Sequence, residues 1–272
     1  MATRENSLKW SVIAAVNNQE VLQNCLLRSP EVAQATDLIW QQGYASAAAA
    51  YNAAIAKAKT DLLIFVHQDV YLPEGWIAAV KNAIEIVSRT DPDWGVLGVW
   101  GTQPSGGRAG FVYDGAWSRI LGNQFEGGME VDSLDEVVLI LRKSTGLCFD
   151  PHIPGFHMYG ADICLEARRH HKKCYAIAAF CIHNTNQYAM LPWQFWKGYL
   201  AMRRKWKARL PVNTTCTEIT YWCWPMVRWN VVRAINLITG RDPSPVKRVH
   251  DPRQLYREMI ASGRVSSVAF LD

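Results

Sequence analysis

Three polar side chains directly follow a short, continuously apolar run. The run spans residues 61–66, and the side chains are those of His67, Gln68 and Asp69. Such a run predicts a buried parallel strand, and ligands of parallel sheets bind beyond the carboxyl ends of the strands. A carboxylate at this point could bind a divalent cation, which could in turn neutralise a diphosphate. Asp69 is therefore a candidate metal ligand, with a turn residue or a helix cap as the alternative.

Two further candidates lie far from Asp69 along the chain. Asp162 begins a predicted helix at residues 162–170, where it could cap the first turn or act as a general base toward an incoming hydroxyl. His183 follows a predicted strand at residues 174–180. Its neutral imidazole could complete a site for Mn²⁺ or a similar ion, and a purely structural histidine is the alternative.

Four residues are candidates for contact with an acceptor substrate, namely Asp132, Asp135, His157 and Tyr159. Asp132 and Asp135 flank the start of a predicted strand, and His157 and Tyr159 closely precede Asp162. For the first pair, the alternative is a solvated turn carboxylate. For the second pair, it is a packed loop anchor.

The elements that must position these residues follow from hydrophobic patterning. Strands are predicted at residues 11–16, 61–66, 94–100, 135–141 and 174–180, and helices at residues 45–59, 76–89, 162–170, 193–209 and 224–238. The alternation of strands and helices predicts the α/β class, with a doubly wound, mostly parallel sheet flanked by helices. Residues 101–110 are rich in glycine and predict a mobile loop.

The amino-acid composition limits the classes of protein to which this chain can belong. A chain of 272 residues with 49% hydrophobic content can bury a substantial core. Its seven cysteines are scattered and include no CxxC pair, which argues against a disulfide framework and a structural zinc site. The first residues are polar, and no apolar run reaches the roughly 20 residues that cross a bilayer. We therefore expect no leader peptide and a cytoplasmic location.

Positive charge is concentrated toward the carboxyl end of the chain. Residues 193–272 contain 14 Lys/Arg against 5 Asp/Glu, whereas the preceding part contains 15 against 19. The pattern predicts one domain at residues 1–190 and a basic, Trp-rich, mainly helical C-terminal extension at residues 191–272, packed on the same domain. Three uses of the extension are open. It could contact anionic lipid peripherally at the inner face of a membrane, or it could cover the acceptor side or form an oligomer contact.

Three motifs carry a resemblance to a known family. They are Gly43-Tyr44-Ala45-Ser46 with Tyr51-Asn52-Ala53-Ala54-Ile55, Phe65-Val66-His67-Gln68-Asp69-Val70-Tyr71-Leu72-Pro73 with Trp76, and Tyr159-Gly160-Ala161-Asp162-Ile163-Cys164-Leu165. Together they resemble glycosyltransferase family 2, and within it the StrF-like branch. The resemblance covers about residues 12–183 and implies the GT-A fold, a Rossmann-like mixed sheet between helices.

The resemblance also implies roles for individual residues. His67-Gln68-Asp69 stands where the family has its DxD motif, with His67 in place of the first carboxylate, which implies that Asp69 meets metal and diphosphate. Asp162 matches the acceptor-side carboxylate that acts as general base in inverting members. His183 matches a late histidine that joins metal coordination, with Mn²⁺ or Mg²⁺ as the implied cofactor. The implied contacts to the donor nucleotide are Val16, Asn17, Asn18, Asn52, His67 and Gln68.

The implied function is a hexosyltransferase of polysaccharide biosynthesis. It would move a sugar with inversion from a UDP-, GDP- or dTDP-linked donor to a hydroxyl of a saccharide or lipid-linked glycan. A nucleotidyltransferase is an alternative, although residues 17–20 lack a Gly-rich phosphate loop with a basic residue. A non-catalytic carbohydrate-binding module is another, because the first carboxylate of the metal motif is missing. No motif that reads nucleic-acid bases is present, so no nucleic-acid partner is expected.

Overall fold

The computed structural model describes residues 8–186, 191–241 and 246–266. The strands are β1 (Trp10–Ala15), β2 (Asp37–Gln41), β3 (Leu62–Val66), β4 (Val70–Tyr71), β5 (Val96–Gly98), β6 (Trp100–Thr102), β7 (Arg108–Asp114), β8 (Arg119–Gly122), β9 (Gly128–Val131), β10 (Ser133–Leu134), β11 (Val138–Arg142), β12 (Cys174–Ile177), β13 (Cys181–His183), β14 (Val212–Asn213) and β15 (Glu218–Ile219). The α-helices are α1 (Gln19–Asn24), α2 (Ala47–Lys57), α3 (Trp76–Thr90), α4 (Tyr159–Arg169), α5 (Trp193–Lys205), α6 (Trp224–Ile238) and α7 (Pro252–Ala261). The predicted domain boundary at residue 190 lies outside the described residues. So do residues 1–7, which are most of the segment from which the absence of a leader peptide was predicted.

A seven-stranded sheet forms the centre of the fold, in the order β2-β1-β3-β11-β5-β12-β9. β1 pairs in parallel with β2 and β3, and β5 pairs in parallel with β12, whereas β11 runs antiparallel to both of its neighbours. All five residues of β3 are buried, as expected of a strand covered on both faces. The predicted fold class, a mixed α/β sheet flanked by helices, is confirmed.

A second sheet has the order β10-β6-β7-β13-β4, with β8 paired to β7. The prediction of a mobile loop at residues 101–110 was wrong, because β6 and β7 form an antiparallel hairpin there. Its glycines allow the hairpin rather than break the structure. Gly106 has a φ of +84° near the turn, and Gly110 has a φ of +130°, where a Cβ would lie 2.0 Å from the Val99 carbonyl oxygen.

Two layers of apolar side chains cover the central sheet. Helix α3 packs on one face through Trp76 and Val80, and helices α2 and α4 pack on the other through Tyr51 and Tyr159. The Ser46 hydroxyl accepts a hydrogen bond from the Ala49 N–H and so begins α2, as its place before an Ala-rich run predicts. The helices thereby hold the carboxyl ends of β1 and β3 in fixed positions.

The C-terminal extension packs back on the rest of the chain. Helix α5 contacts the start of α4, where Phe195 and Tyr199 meet Met158 and Ala161. Helix α7 packs on the second sheet through Met259. Between α6 and α7, residues 246–251 run past the carboxyl end of β13. None of the described helices is long and apolar enough to cross a membrane.

Candidate active site

His67 and Asp69 lie in a tight turn at the carboxyl end of β3. The His67 N–H donates to the Val137 carbonyl (3.1 Å), and the Val70 N–H donates to the His67 carbonyl (3.1 Å). β4 begins at Val70 and pairs with β13, so the chain passes from the first sheet to the second at this turn. Asp69 is consequently buried where the two sheets meet.

Strand β13 brings His183 to the same place. His183 is the register partner of Asp114 on β7 and of Val70 on β4. Its Nδ1 lies 3.3 Å from Asp114 Oδ2, and its Nε2 lies 3.6 Å from Asp69 Oδ1. Burial lowers the pKa of His183, but Asp69 and Asp114 outweigh burial and raise the pKa to about 9. The two predicted metal ligands are therefore neighbours in the structure.

His67 joins this pair, although the sequence assigned it to the donor nucleotide. One ligand atom from each of His67, Asp69 and His183 lies within 4.8 Å of the others. His67 Nε2 is 2.9 Å from the Tyr159 hydroxyl, and burial lowers the pKa of His67 to about 4, so its imidazole is neutral at pH 7. The three side chains could hold a divalent ion such as Mn²⁺ if His183 released its proton, because a metal-ligating histidine must be neutral.

Arg248 also contacts Asp69, and no sequence pattern predicted it. Its Nη2 donates to Asp69 Oδ2 at 2.9 Å, and its Nε donates to the Asn184 carbonyl at 2.8 Å. Burial raises the pKa of Asp69, but His183, His67 and Arg248 outweigh burial and hold the pKa below its ordinary value. Asp69 is therefore ionised at neutral pH. The 179 positions between the partners leave no local pattern from which this contact could be found.

The predicted donor loop after β1 is tied to the turn after β3 by Gln68. Gln68 Oε1 accepts from the N–H groups of Asn17 (3.1 Å) and Asn18 (3.0 Å), and its Nε2 donates to Asn17 Oδ1. Asn18 also caps α1 by accepting from the Val21 N–H. Asn17 and Asn18 face solvent, and Val16 is buried just before them. The structure thus brings the predicted donor loop beside the metal-ligand candidates.

Asn52, also predicted to contact the donor, is engaged elsewhere. Its Nδ2 donates to the Phe149 carbonyl (2.7 Å), and its Oδ1 accepts from the Phe149 N–H (2.9 Å). Both polar atoms of the amide therefore hold the segment that leads to α4. In the described structure, neither polar atom of the Asn52 side chain therefore points to the donor loop through a hydrogen bond.

Two of the predicted acceptor residues lie near the turn after β3. Tyr159 is buried and contacts His67 through its hydroxyl. Asp135 lies just before β11, and its Oδ2 accepts from the Thr215 hydroxyl (2.6 Å) of the C-terminal extension. Because β11 runs antiparallel to β3 and pairs Val138 with Val66, the residues before β11 lie beside those after β3.

The other two predicted acceptor residues have structural partners. Asp132 forms a salt bridge with Arg168 of α4. The His157 ring packs on the Phe195 ring, with centroids 5.3 Å apart, and burial lowers the pKa of His157. These contacts agree with the packed-anchor alternative for His157.

Asp162 belongs to a different cluster from Asp69. Lys205 Nζ lies 2.7 Å from Asp162 Oδ1 and 2.9 Å from Oδ2, and the Trp206 indole donates to Oδ1 at 2.8 Å. Lys205 also contacts Asp150 (2.6 Å) and Glu166 (2.7 Å). With 1% exposure and both oxygens bonded, Asp162 is closed to an acceptor hydroxyl in this conformation.

Glu136 is a carboxyl group at the site that sequence reasoning missed. Its Oε1 accepts from the Gly160 N–H at the start of α4 (3.2 Å), and it lies next to Asp135 at the start of β11. Burial raises the pKa of Glu136 to about 8, with the negative charge of Asp135 as the second cause. The acidic pair at the start of the strand predicted at residues 135–141 was visible in the sequence, but only Asp135 of the two was selected.

The chain is similar in sequence to a family of glycosyltransferase-like proteins. Residues 11–195 match the profile of a family described as "Glycosyltransferase like family". A protein described as ATP synthase subunits region ORF 6 of Fuscovulum blasticum is 33% identical over 132 residues, which are 45% of this chain and 51% of that protein. The match therefore spans about half the length of this curated relative.

Solved structures with similar folds have low sequence identity. The mannosyltransferase PcManGT from Pyrobaculum calidifontis, in complex with GDP-Man and Mn²⁺, has a TM-score of 0.45 and 10% identity, covering 96% of this chain and 82% of that one. TarS from S. aureus, residues 1–349, has a TM-score of 0.44 and 12% identity, covering 76% and 66%.

Proposed function

The chain belongs to the glycosyltransferase-like family that its residues 11–195 match, and from this premise we propose a specific reaction. The protein transfers a hexose-type sugar from a UDP-, GDP- or dTDP-linked donor to a hydroxyl of a saccharide or lipid-linked glycan, with inversion. The observation that carries the proposal is the cluster of His67, Asp69 and His183 beside the solvent-facing loop of Asn17 and Asn18. Such a cluster can bind a nucleoside diphosphate together with a cation.

His67, Asp69 and His183 would hold the cation of this reaction. Asp114 accepts from one ring nitrogen of His183 and leaves the other directed at Asp69, an arrangement that orients metal-ligating histidines in many proteins. Mn²⁺ bound here would supply positive charge to the departing diphosphate. The loop of Asn17 and Asn18 would contact the nucleoside. Gln68 would hold this loop beside the turn that contains Asp69.

Glu136 is the best-placed general base for the acceptor hydroxyl. It is half-buried, has one oxygen bonded to Gly160, and its pKa of about 8, raised by burial and Asp135, is close to the pH at which a base must work. The family resemblance indicates Asp162 instead. Asp162 could act only if Lys205 and Trp206 released its oxygens, so we assign it to holding the C-terminal extension.

Nucleotide binding tests the proposal directly. Thermal-shift measurements with UDP, GDP and dTDP, each with Mn²⁺ and with EDTA, should show stabilisation by one nucleotide. Asp69→Ala should remove that stabilisation. Slow hydrolysis of the matching nucleotide-sugar without acceptor would separate an enzyme from a non-catalytic carbohydrate-binding module. If no nucleoside diphosphate stabilises the protein, the proposed reaction is wrong.

Two variants separate the candidate bases. Glu136→Gln should lower the transfer rate by about 10²- to 10⁴-fold while nucleotide binding and Tm are retained. Asp162→Asn should lower the Tm, because it weakens the contacts with Lys205 and Trp206. A folded Asp162→Asn variant without transfer activity, together with an active Glu136→Gln variant, would reverse the assignment.

We further propose that helix α6 attaches the protein to an anionic membrane surface that presents a lipid-linked acceptor. Five of the seven exposed, large apolar side chains of α6 recur at helical spacing and form one stripe: Trp224, Val227, Val231, Ile235 and Ile238. From Trp193 to Arg241 the chain contains nine Lys/Arg against one Glu. An apolar stripe on a strongly basic segment fits an anionic lipid interface, because the stripe can enter the headgroup region while the basic groups attract the lipid.

Co-sedimentation with phosphatidylglycerol and phosphatidylcholine vesicles at low salt tests this contact. The wild-type protein should bind the anionic vesicles more strongly. Val231→Asp should reduce binding, whereas Leu237→Asp, an equivalent change at an exposed position off the stripe, should reduce it less. Absence of wild-type binding would end the proposal. A dimer that Val231→Asp dissociates would instead identify the stripe as a contact between two copies.

A further inference from the structure

A short strap, defined as residues 246–251, crosses the edge of the sheets that carries Asp69. Asn184 fixes the strap, because its Oδ1 accepts from the Val249 N–H (2.9 Å) and its Nδ2 donates to the Val249 carbonyl (2.9 Å). At its far end, Asp251 caps α7 and lies 3.5 Å from Arg28 Nη1. Asn184 is buried and directly follows β13, so the strap is anchored beside the metal-ligand candidates.

The anchored strap directs Arg248 at the carboxylate of Asp69. Two of the five guanidinium N–H donors are used, one toward Asp69 Oδ2 and one toward the Asn184 carbonyl. Within the described parts of the chain, three N–H donors remain for a ligand. The Arg248 side chain is 29% exposed, whereas that of Asp69 is 9% exposed. A ligand that approaches Asp69 from solvent would therefore meet the guanidinium.

We propose that Arg248, positioned by the strap, binds the diphosphate of the donor. A planar guanidinium can donate two parallel hydrogen bonds to phosphate oxygens, and such charge-assisted bonds are among the strongest in proteins. Asp69 and Asn184 hold the guanidinium in one orientation before the ligand arrives, which reduces the entropy lost on binding. The inference rests on the proposed function, which brings a nucleoside diphosphate to this edge.

Arg248 also changes how the negative charge of the diphosphate is balanced. Its positive charge is covalently part of the chain and stays beside Asp69 whether or not a cation is present. The contribution of Arg248 to diphosphate affinity should therefore persist when metal is removed with EDTA. A site that depended on a cation alone would lose its affinity under the same treatment.

Calorimetric titrations with UDP, GDP and dTDP test the inference. Arg248→Ala should weaken binding of the preferred nucleotide by on the order of 10- to 100-fold, in Mn²⁺ and in EDTA alike. Arg248→Lys should be intermediate, because it keeps the charge but not the planar pair of donors. Lys247→Ala, an equal loss of charge at an exposed neighbouring position, should bind like the wild type.

Titration with the corresponding nucleoside, which carries no phosphate, separates phosphate binding from a structural role of Arg248. Nucleoside affinity should be the same in the wild type and in Arg248→Ala. Equal affinity of Arg248→Ala and the wild type for the nucleoside diphosphate would overturn the inference, and so would a parallel loss of nucleoside affinity. Failure of the proposed function gives a different result, in which the wild type binds none of the three nucleotides, and both proposals then fall.

Discussion

Lys205 is the cation at the centre of a partly buried cluster of three carboxylates, and its replacement should destabilise the fold strongly. Its Nζ lies 2.6 Å from Asp150, 2.7 Å from Asp162 and 2.7 Å from Glu166. Lys205→Met keeps most of the side-chain volume but removes the charge and the N–H donors. Asp162 would then retain only the hydrogen bond from Trp206 among the contacts described for its side chain.

The size of the effect follows from the burial of the cluster. Removing one partner of a buried ion pair costs about 3–5 kcal/mol, because the other charge is left without compensation. The Lys205 side chain is 20% exposed and the Asp162 side chain 2% exposed, so some water can replace Lys205 and we expect the lower end, about 3 kcal/mol. For a protein of this size, 1 kcal/mol shifts the Tm by about 2–4 °C, which predicts a fall of about 6–12 °C.

Urea unfolding and calorimetry at pH 7 and at pH 4.5 would measure this effect. Burial already raises the pKa of Asp162, and loss of Lys205 should raise it further. A folded-state pKa above the unfolded value means that the native variant gains protons and stability as pH falls, so its deficit should shrink at pH 4.5. Lys197→Met, an exposed position on the same helix, is the matched control.

Two results would refute this reasoning. One is a Lys205→Met variant within about 1 kcal/mol of the wild type at pH 7, well below the cost expected for a buried ion pair. The other is a deficit that is the same at both pH values, because an unpaired buried carboxylate must respond to protonation.

Three further predictions concern other parts of the molecule. Because burial and Asp135 raise the pKa of Glu136 to about 8, the transfer rate should rise as pH rises through about 8 and then level off; a pH profile that survives in Glu136→Gln would contradict this. Gly110→Ala should lower the Tm far more than Gly106→Ala, since a Cβ at residue 110 lies 2.0 Å from a carbonyl oxygen and one at residue 106 meets nothing within 4 Å; equal Tm values would argue against the hairpin. Asn184→Ala should cost about 1–3 kcal/mol in urea unfolding and speed proteolysis near the strap, because two hydrogen bonds to Val249 are lost; an unchanged cleavage rate would show that the strap is held by other contacts.

Local patterning was enough to identify the central elements. The run at residues 61–66 became β3, which is buried along its whole length, and the helical spacing at residues 76–89 became α3. Burial of a continuous apolar run, and the periodicity of an amphipathic helix, are properties of neighbouring residues, so they can be read without knowing the rest of the fold. The polar residues after β1 and β3 were predicted to share one edge on the further expectation of parallel strands, and β1 does pair in parallel with β3.

Strand pairing was harder to predict from the sequence. The glycines at residues 101–110 indicated a break in regular structure, and the structure has a hairpin there. Glycine allows backbone angles that other residues rarely adopt, but it does not decide between a loop and a paired turn. That choice depends on a partner strand. Likewise, Glu136 approaches the site because β11 runs antiparallel to β3, and strand direction within a mixed sheet is a property of the whole topology.

The sequence by itself determined the strands, the helices and the polar residues at the edge of the sheet, because each depends on side chains close together in the chain. Only the tertiary structure decided the partners of the two central carboxylates. Lys205 reaches Asp162 across 43 positions, and Arg248 reaches Asp69 across 179. Any of the 24 acidic residues could in principle pair with any of the 29 basic ones, and charge alone does not distinguish between them. The choice is made by packing, since the folded extension holds these two cations against these two carboxylates, both of which are buried.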